Sequence, residues 1–100
     1  MIEWPPDVQL PQPRQVYEEA MRVHGRSGQA LNTSKAVTSI YMAEVVGESR
    51  LGRKGVWLDA VAQTGISSSS WQMLYAKNRK KPEIRRLAFN LLNELIRLNR

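Results

Sequence analysis

Side chains that could bind a polar ligand concentrate between Ser67 and Lys81. The stretch opens with four consecutive serines and, after a tryptophan, continues with Gln72. It closes with four cations in five residues, in the run Lys77-Asn78-Arg79-Lys80-Lys81. Hydroxyl and amide groups exchange hydrogen bonds with a ligand, and lysine and arginine bind anionic groups. Their spacing therefore predicts recognition of a negatively charged, hydrogen-bonding partner rather than covalent chemistry.

Groups that could carry catalysis or hold a metal are scarce. The chain has one histidine, His24, and no cysteine, so thiolate chemistry and thiolate metal sites are excluded. His24 is predicted at the end of a helix, where capping is the ordinary role. No pair of carboxylates stands apart from the solvated surface charge. We therefore predict no enzymatic activity, no metal site and no cofactor.

The charge of the chain is unevenly distributed. The net charge is +6, from 15 Lys and Arg against 9 Asp and Glu. Residues 1–49 hold four cations and six anions, whereas residues 50–86 hold nine cations and two anions. Such a concentration of positive charge predicts a surface that binds a polyanion, although a solvated basic surface is the simpler alternative.

The N-terminal residues do not resemble a targeting signal. The start, Met1-Ile2-Glu3-Trp4, lacks the basic residues and apolar run of a signal peptide, and no stretch is long enough to cross a membrane. The absence of cysteine suits a reducing compartment. These features predict a cytoplasmic protein that does not enter the membrane.

Two short helices joined by a tight turn are predicted around the serines. Apolar and small residues from 56 to 63 suit a helix packed on a core, and Gly65 can end that helix in the left-handed conformation. Ser67 is a good N-cap for a second helix, in which Trp71 and Leu74 share one face. Two helices connected in this way have the outline of a helix-turn-helix.

This stretch resembles the helix-turn-helix of the lambda-repressor and Cro family. The residues in matching places are Gly65, Ile66, Ser67, Trp71, Leu74 and Pro82. The resemblance covers residues 57–92, and it departs at Val61, where the family prefers alanine, and at Trp71, where a smaller aliphatic is usual. It implies a small all-helical fold with the motif at residues 56–78. It also implies double-stranded DNA as the partner, with helix 67–78 in the major groove.

Roles on DNA follow from the predicted helix face and from the resemblance. Ser68, Ser69 and Gln72 lie opposite the Trp71 face and are predicted to contact base edges. Glutamine can pair with adenine through two hydrogen bonds, and the resemblance places the two serines at base-reading positions. Phosphate contacts are predicted for polar and basic side chains of the second helix, the loop after it and the linker at 47–55. These side chains are Ser67, Lys77, Asn78, Arg79, Lys80, Lys81, Arg53 and Lys54.

The N-terminal half should supply helices that pack behind the motif. Residues 1–13 carry four of the five prolines and predict an extended arm, whose Trp4 should pack on its own protein. Helices are predicted at 14–24 and at 34–46, with a polar loop at 25–33 between them.

The last helix has the most regular pattern. From 82 to 98, apolar residues recur in steps of three and four. The end of this stripe is long for so small a domain, and pairing with the same helix of a second copy would cover it. The dimer interface is then predicted at Leu91, Leu92, Leu95, Ile96 and Leu98. The alternative is that the arm or the helix at 14–24 covers the stripe within one chain.

Together these features predict an all-α domain, a bundle of about five helices at residues 14–100 that follows the extended arm. The predicted function is sequence-specific binding of double-stranded DNA by a homodimeric transcriptional regulator, a repressor of the kind carried by phages and other mobile elements. Two alternatives stay open. One is a protein-interaction module whose helix-turn-helix is only structural, and the other is an RNA-binding protein that uses the same basic residues.

Overall fold

Four helices make up the part of the chain that the structure describes. The computed structural model describes residues 11–43 and 61–98, and of Leu98 only the backbone. The helices are α1 (Pro13–His24), α2 (Gly28–Tyr41), α3 (Ser68–Asn78) and α4 (Pro82–Leu98). These ranges contain no strand, which confirms the all-helical class. None of their helices is long and apolar enough to cross a lipid bilayer.

Several predictions concern residues outside the described ranges. The first helix of the predicted motif, at 56–63, is described only at its end, where residues 61–62 are helical. A fifth helix therefore stays a prediction. The arm with Trp4 and the linker with Arg53 and Lys54 also lie outside the described residues.

Helix α1 begins and ends close to its predicted bounds. Pro13 takes the first helical position, where a missing N–H costs nothing. The backbone N–H of Gln12 donates to Oε1 of Gln15 at 3.1 Å, which satisfies a donor at the helix start. At the other end, the N–H of Gly25 donates to the carbonyl of Met21 at 2.9 Å. His24 is the last helical residue, at the predicted position.

Helix α2 begins earlier than predicted. The polar loop expected at 25–33 is wrong, because the helix starts at Gly28 rather than at Ser34. The Ser34 hydroxyl does not cap a helix but lies 2.9–3.1 Å from the carbonyl oxygens of Ala20, Gly25 and Ala30. A buried hydroxyl among three carbonyls ties the end of α1 to the first turns of α2, so a serine that favours a cap locally is accommodated inside the helix.

The apolar stripe of α4 is covered within the chain. Leu91, Leu92 and Leu95 are only 4–8% exposed, and Ile96 packs partly buried against the same core. Helices α1 and α2 supply the opposing surface. Leu91, Leu92 and Leu95 are therefore not free to form the predicted dimer interface, because their apolar area is already buried in one chain. The Leu98 side chain lies outside the described residues, so its predicted place in the interface stays a prediction. Helix 14–24, which the alternative names, covers only part of the stripe, and α2 covers more of it.

The end of the proline-rich arm is fixed to α2. Pro11 is fully buried, and its carbonyl accepts a hydrogen bond from the hydroxyl of Tyr41. Tyr41 is 2% exposed, so its phenol is held away from water. Burial raises the pKa of Tyr41 above its ordinary value, because a phenolate would lose its hydration there.

We expect this phenol to make stability fall at alkaline pH. The unfolded chain ionises Tyr41 near pH 10, whereas the folded chain keeps the proton, so folding is disfavoured as pH rises above about 10. Tyr41→Phe should remove this contribution, which approaches about 1.4 kcal/mol per pH unit. Urea unfolding of the wild type and the variant measures this difference in stability. A range of about pH 8 to pH 11 brackets the ordinary tyrosine pKa of about 10. Parallel declines for wild type and variant would refute it.

Candidate nucleic-acid interface

The turn before α3 has the geometry that the sequence predicts for the end of a helix. The N–H of Thr64 donates to the carbonyl of Val61 at 3.0 Å, and the N–H of Gly65 donates to that of Ala62 at 3.0 Å. Gly65 has φ +80°, in the left-handed region. A residue with a Cβ would be strained there, so glycine at this position lets the chain reverse direction directly before α3.

Thr64 joins the turn to α3, a role that the sequence pattern does not predict. Its hydroxyl donates to the carbonyl of Val61 at 2.6 Å, and its oxygen accepts from the N–H of Ile66 at 3.2 Å. The same oxygen accepts from Nε1 of Trp71 at 3.1 Å. A buried indole N–H needs an acceptor, so a threonine seven residues before a core tryptophan is the signal in the sequence.

Trp71 fixes the inner face of α3. Its side chain is 0% exposed and meets the ring of Tyr17 edge to face, with centroids 5.5 Å apart and an interplanar angle of 86°. Leu74 and Tyr75 pack partly buried against the same core, as their spacing predicts. Among the described helices, α3 packs mainly against α2, and the side of α3 opposite Trp71 is exposed to solvent.

Ser67 caps α3 as predicted. Its side-chain oxygen accepts from the backbone N–H of Ser70 at 3.3 Å, which satisfies a donor in the first turn. The hydroxyls of Ser69 and Ser70 lie 3.2 Å and 2.9 Å from the same oxygen. The first turn of α3 therefore presents a cluster of exposed hydroxyl groups at its start.

The outward face of α3 carries two of the three predicted base-contacting residues. Ser69 and Gln72 are exposed, whereas Ser68 is half-buried at one edge of the face. Met73 is 73% exposed beside them and is not among the predicted contact residues. The signal was its position, because Met73 is the large apolar residue of α3 that falls outside the Trp71 face.

The predicted phosphate-binding side chains at the end of α3 divide into two groups. Lys77, Arg79, Lys80 and Lys81 are exposed. Asn78 instead is 6% exposed, and its Nδ2 donates to the carbonyl of Leu74 at 2.8 Å. The prediction that Asn78 contacts phosphate is therefore corrected, because its amide is turned inward and completes the last turn of the helix.

Lys77, Arg79, Lys80 and Lys81 form no ion pair within residues 11–43 and 61–98. The ion pairs among the described residues join Arg14 to Glu18 and Arg22 to Glu19, and both pairs lie on α1. A cation without a paired carboxylate keeps its full charge for a ligand. The run from Lys77 to Lys81 therefore forms a positive surface continuous with the polar face of α3.

The polar face of α3 and the positive surface after it carry side chains that can bind an anionic, hydrogen-bonding ligand. Residues 11–43 and 61–98 contain no group of three or more His, Asp or Glu side chains placed to hold a metal ion. The chain matches no known protein family, no curated protein and no solved structure. A functional assignment therefore depends on the chemistry of α3 and its basic end.

Proposed function

We propose that the protein binds double-stranded DNA in a sequence-specific manner through α3 and regulates transcription. One observation supports this above the others. Helix α3 is anchored by the buried Trp71, its opposite face is polar and exposed, and exposed lysine and arginine side chains lie at its C-terminal end. An α-helix fits the major groove of B-form DNA, and a helix so anchored can present its outer face to base edges.

Each side chain of the outward face has a role in this arrangement. Gln72 can pair with adenine through two hydrogen bonds, and Ser69 can donate to or accept from most bases. Met73 can pack against the methyl group of thymine, because that methyl group lies in the major groove. Ser68, at the edge of the face, lies where a base or its sugar would pass. This combination favours sites rich in adenine and thymine.

Phosphate contacts are assigned to the exposed cations and to the start of α3. Lys77, Arg79, Lys80 and Lys81 would bind the backbone beside the groove, and the Ser67 hydroxyl lies at the positive end of the helix dipole. Such contacts position the helix without reading sequence. They also make affinity strongly dependent on salt.

A repressor is the form of regulator that the resemblance to lambda-repressor and Cro proteins suggests. In that class, two recognition helices one helical turn apart read a palindromic site. Leu91, Leu92 and Leu95 are used within the single chain, so a dimer on DNA would form through a different surface. The proposal requires only that each α3 occupies one half-site.

Selection from random duplex DNA at two salt concentrations tests the function. We expect retention of a motif rich in adenine and thymine, with weaker binding at the higher salt concentration. Retention without any motif would leave non-specific DNA binding. Equal binding of duplex RNA would favour the RNA alternative, and no retention of either nucleic acid would refute the proposal.

A protein-interaction role is favoured by a different surface. Val23, at the end of α1, is 53% exposed and lies with Leu87 of α4 along a groove of about 330 Å³. Glu19, Arg22 and Glu94 also line this groove, so a partner there would meet charges of both signs, and its binding should depend on salt much less steeply than phosphate binding does. The salt comparison above therefore separates the two functions.

Gln72→Ala should change the preference among DNA sites. The variant loses the paired hydrogen bonds to adenine, so its discrimination at one position should fall by roughly 1–3 kcal/mol. Binding to random duplexes should stay near that of the wild type, because no phosphate contact is lost. Fluorescence anisotropy on selected and scrambled duplexes measures both. Gln29→Ala, which removes an exposed glutamine from α2, is the matched control, and equal losses on both duplexes would exclude base reading by Gln72.

A further inference from the structure

A groove between α2 and α3 has the composition of a ligand-binding site. Its volume is about 690 Å³, within the usual range for small-molecule sites. Ile66, Met73 and Leu74 give it an apolar wall, and the hydroxyls of Ser67 and Ser70 line its edge. Mostly apolar walls with a few polar groups are typical of sites for organic molecules.

The charge of the groove comes from both helices. Lys35 is the single charged residue of α2, and Lys77 is the single charged residue of α3. Both line this groove, and no carboxylate is among its described lining residues. Neither lysine forms an ion pair within residues 11–43 and 61–98. Two unpaired cations beside an apolar wall favour a ligand with an anionic group and an apolar body.

We propose that the groove binds an amphipathic organic anion, with its carboxylate between Lys35 and Lys77 and its apolar body against Ile66 and Leu74. Binding does not require DNA. If α3 enters the major groove, which is the function proposed above, the ligand and DNA compete for Lys77 and Met73. The ligand would then release the protein from DNA, as an inducer does.

A pair of probes that differ only in charge tests the site. Naphthylacetate carries the apolar body and the carboxylate, and naphthylacetamide is its neutral counterpart. We expect the acetate to bind at least about tenfold more tightly, because two charge-assisted hydrogen bonds are lost with the amide. Titration followed by amide NMR should shift the resonances of Gly65 and Ser70 first. Equal affinity for the two probes, or no binding of either, would overturn the site.

Substitutions of the two lysines test whether they bind the carboxylate of the ligand. Lys35→Gln combined with Lys77→Gln should lower the affinity for naphthylacetate at least about tenfold and leave that for naphthylacetamide unchanged. Arg14→Gln combined with Arg26→Gln removes the same charge from outside the groove and should change neither affinity. If the control variant lowers the affinity for naphthylacetate by the same factor, the net charge of the protein explains the binding and the proposed site is refuted.

Competition with DNA is measured separately. Naphthylacetate should release DNA from the wild type, and several-fold more of it should be needed with Lys35→Gln, which leaves the proposed DNA contacts intact. Simultaneous binding of probe and DNA would overturn the inducer role. Binding of the probe by a protein that binds no DNA would refute the proposed function and the inducer role while the site itself stands.

Discussion

Trp71→Ala should destabilise the protein by about 3–5 kcal/mol, the usual cost of removing a large aromatic from a core. The substitution removes a fully buried side chain, its edge contact with Tyr17 and the hydrogen bond to Thr64. Because a domain of this size is stable by roughly 5–15 kcal/mol, the variant should unfold at much lower urea concentration or fail to fold. Urea unfolding followed by circular dichroism measures the change.

Two milder variants separate the parts of this effect. Thr64→Val keeps the tryptophan and removes the acceptor for its indole N–H, so a loss of about 1–3 kcal/mol is expected for the unpaired group. Met73→Ala shortens an exposed side chain of the same helix and should change stability by less than about 0.5 kcal/mol. A Trp71→Ala protein that is no less stable than Met73→Ala would contradict the packing of α3 described above.

The elements that sequence predicted well are those set by local chemistry. Apolar residues at steps of three and four predict α4 at its observed bounds, because residues with that spacing fall on one face of an α-helix. The turn at Gly65 and the cap at Ser67 follow from conformational preferences of single residues. Such features need no knowledge of the rest of the chain.

The errors concern contacts between distant residues. Ser34 has the composition of a helix cap, but its hydroxyl meets carbonyls of Ala20 and Gly25, which the sequence does not bring near it. The sequence pattern therefore predicts the start of α2 too late, at Ser34 instead of Gly28. The leucines of α4 have the same spacing whether a second copy or α2 covers them, so periodicity could not decide between a dimer and a single-chain core.

The candidate site was predictable in outline and less so in detail. Gln72 and Ser69 were placed on the outward face by helical spacing alone. Asn78 was misassigned because an asparagine near a helix end can face solvent or bond back to its own helix, and here it bonds to Leu74. The groove that joins Lys35 to Lys77 depends on the packing of two helices that are distant in sequence, so no local pattern indicated it.

Replacing Arg79 and Lys80 together with alanine should weaken binding to every duplex, cognate or random, by on the order of tenfold to a hundredfold. Each lost phosphate contact also lowers the slope of affinity against salt by about one, so the slope should fall by about two. Sequence preference should not change, because these exposed side chains follow α3 rather than lie on its reading face. Anisotropy titrations at several salt concentrations measure all three quantities.

The matched control for this pair removes the same charge elsewhere. Arg14→Ala combined with Arg26→Ala takes two exposed cations from α1 and the loop after it, so the net charge equals that of the first variant. If DNA lies along α3, the control should reduce affinity only slightly and leave the salt slope near the wild-type value, because distant charges are screened within about 10 Å. Equal salt slopes for the two variants would mean that net charge alone attracts DNA. The proposed phosphate contacts of Arg79 and Lys80 would then be refuted.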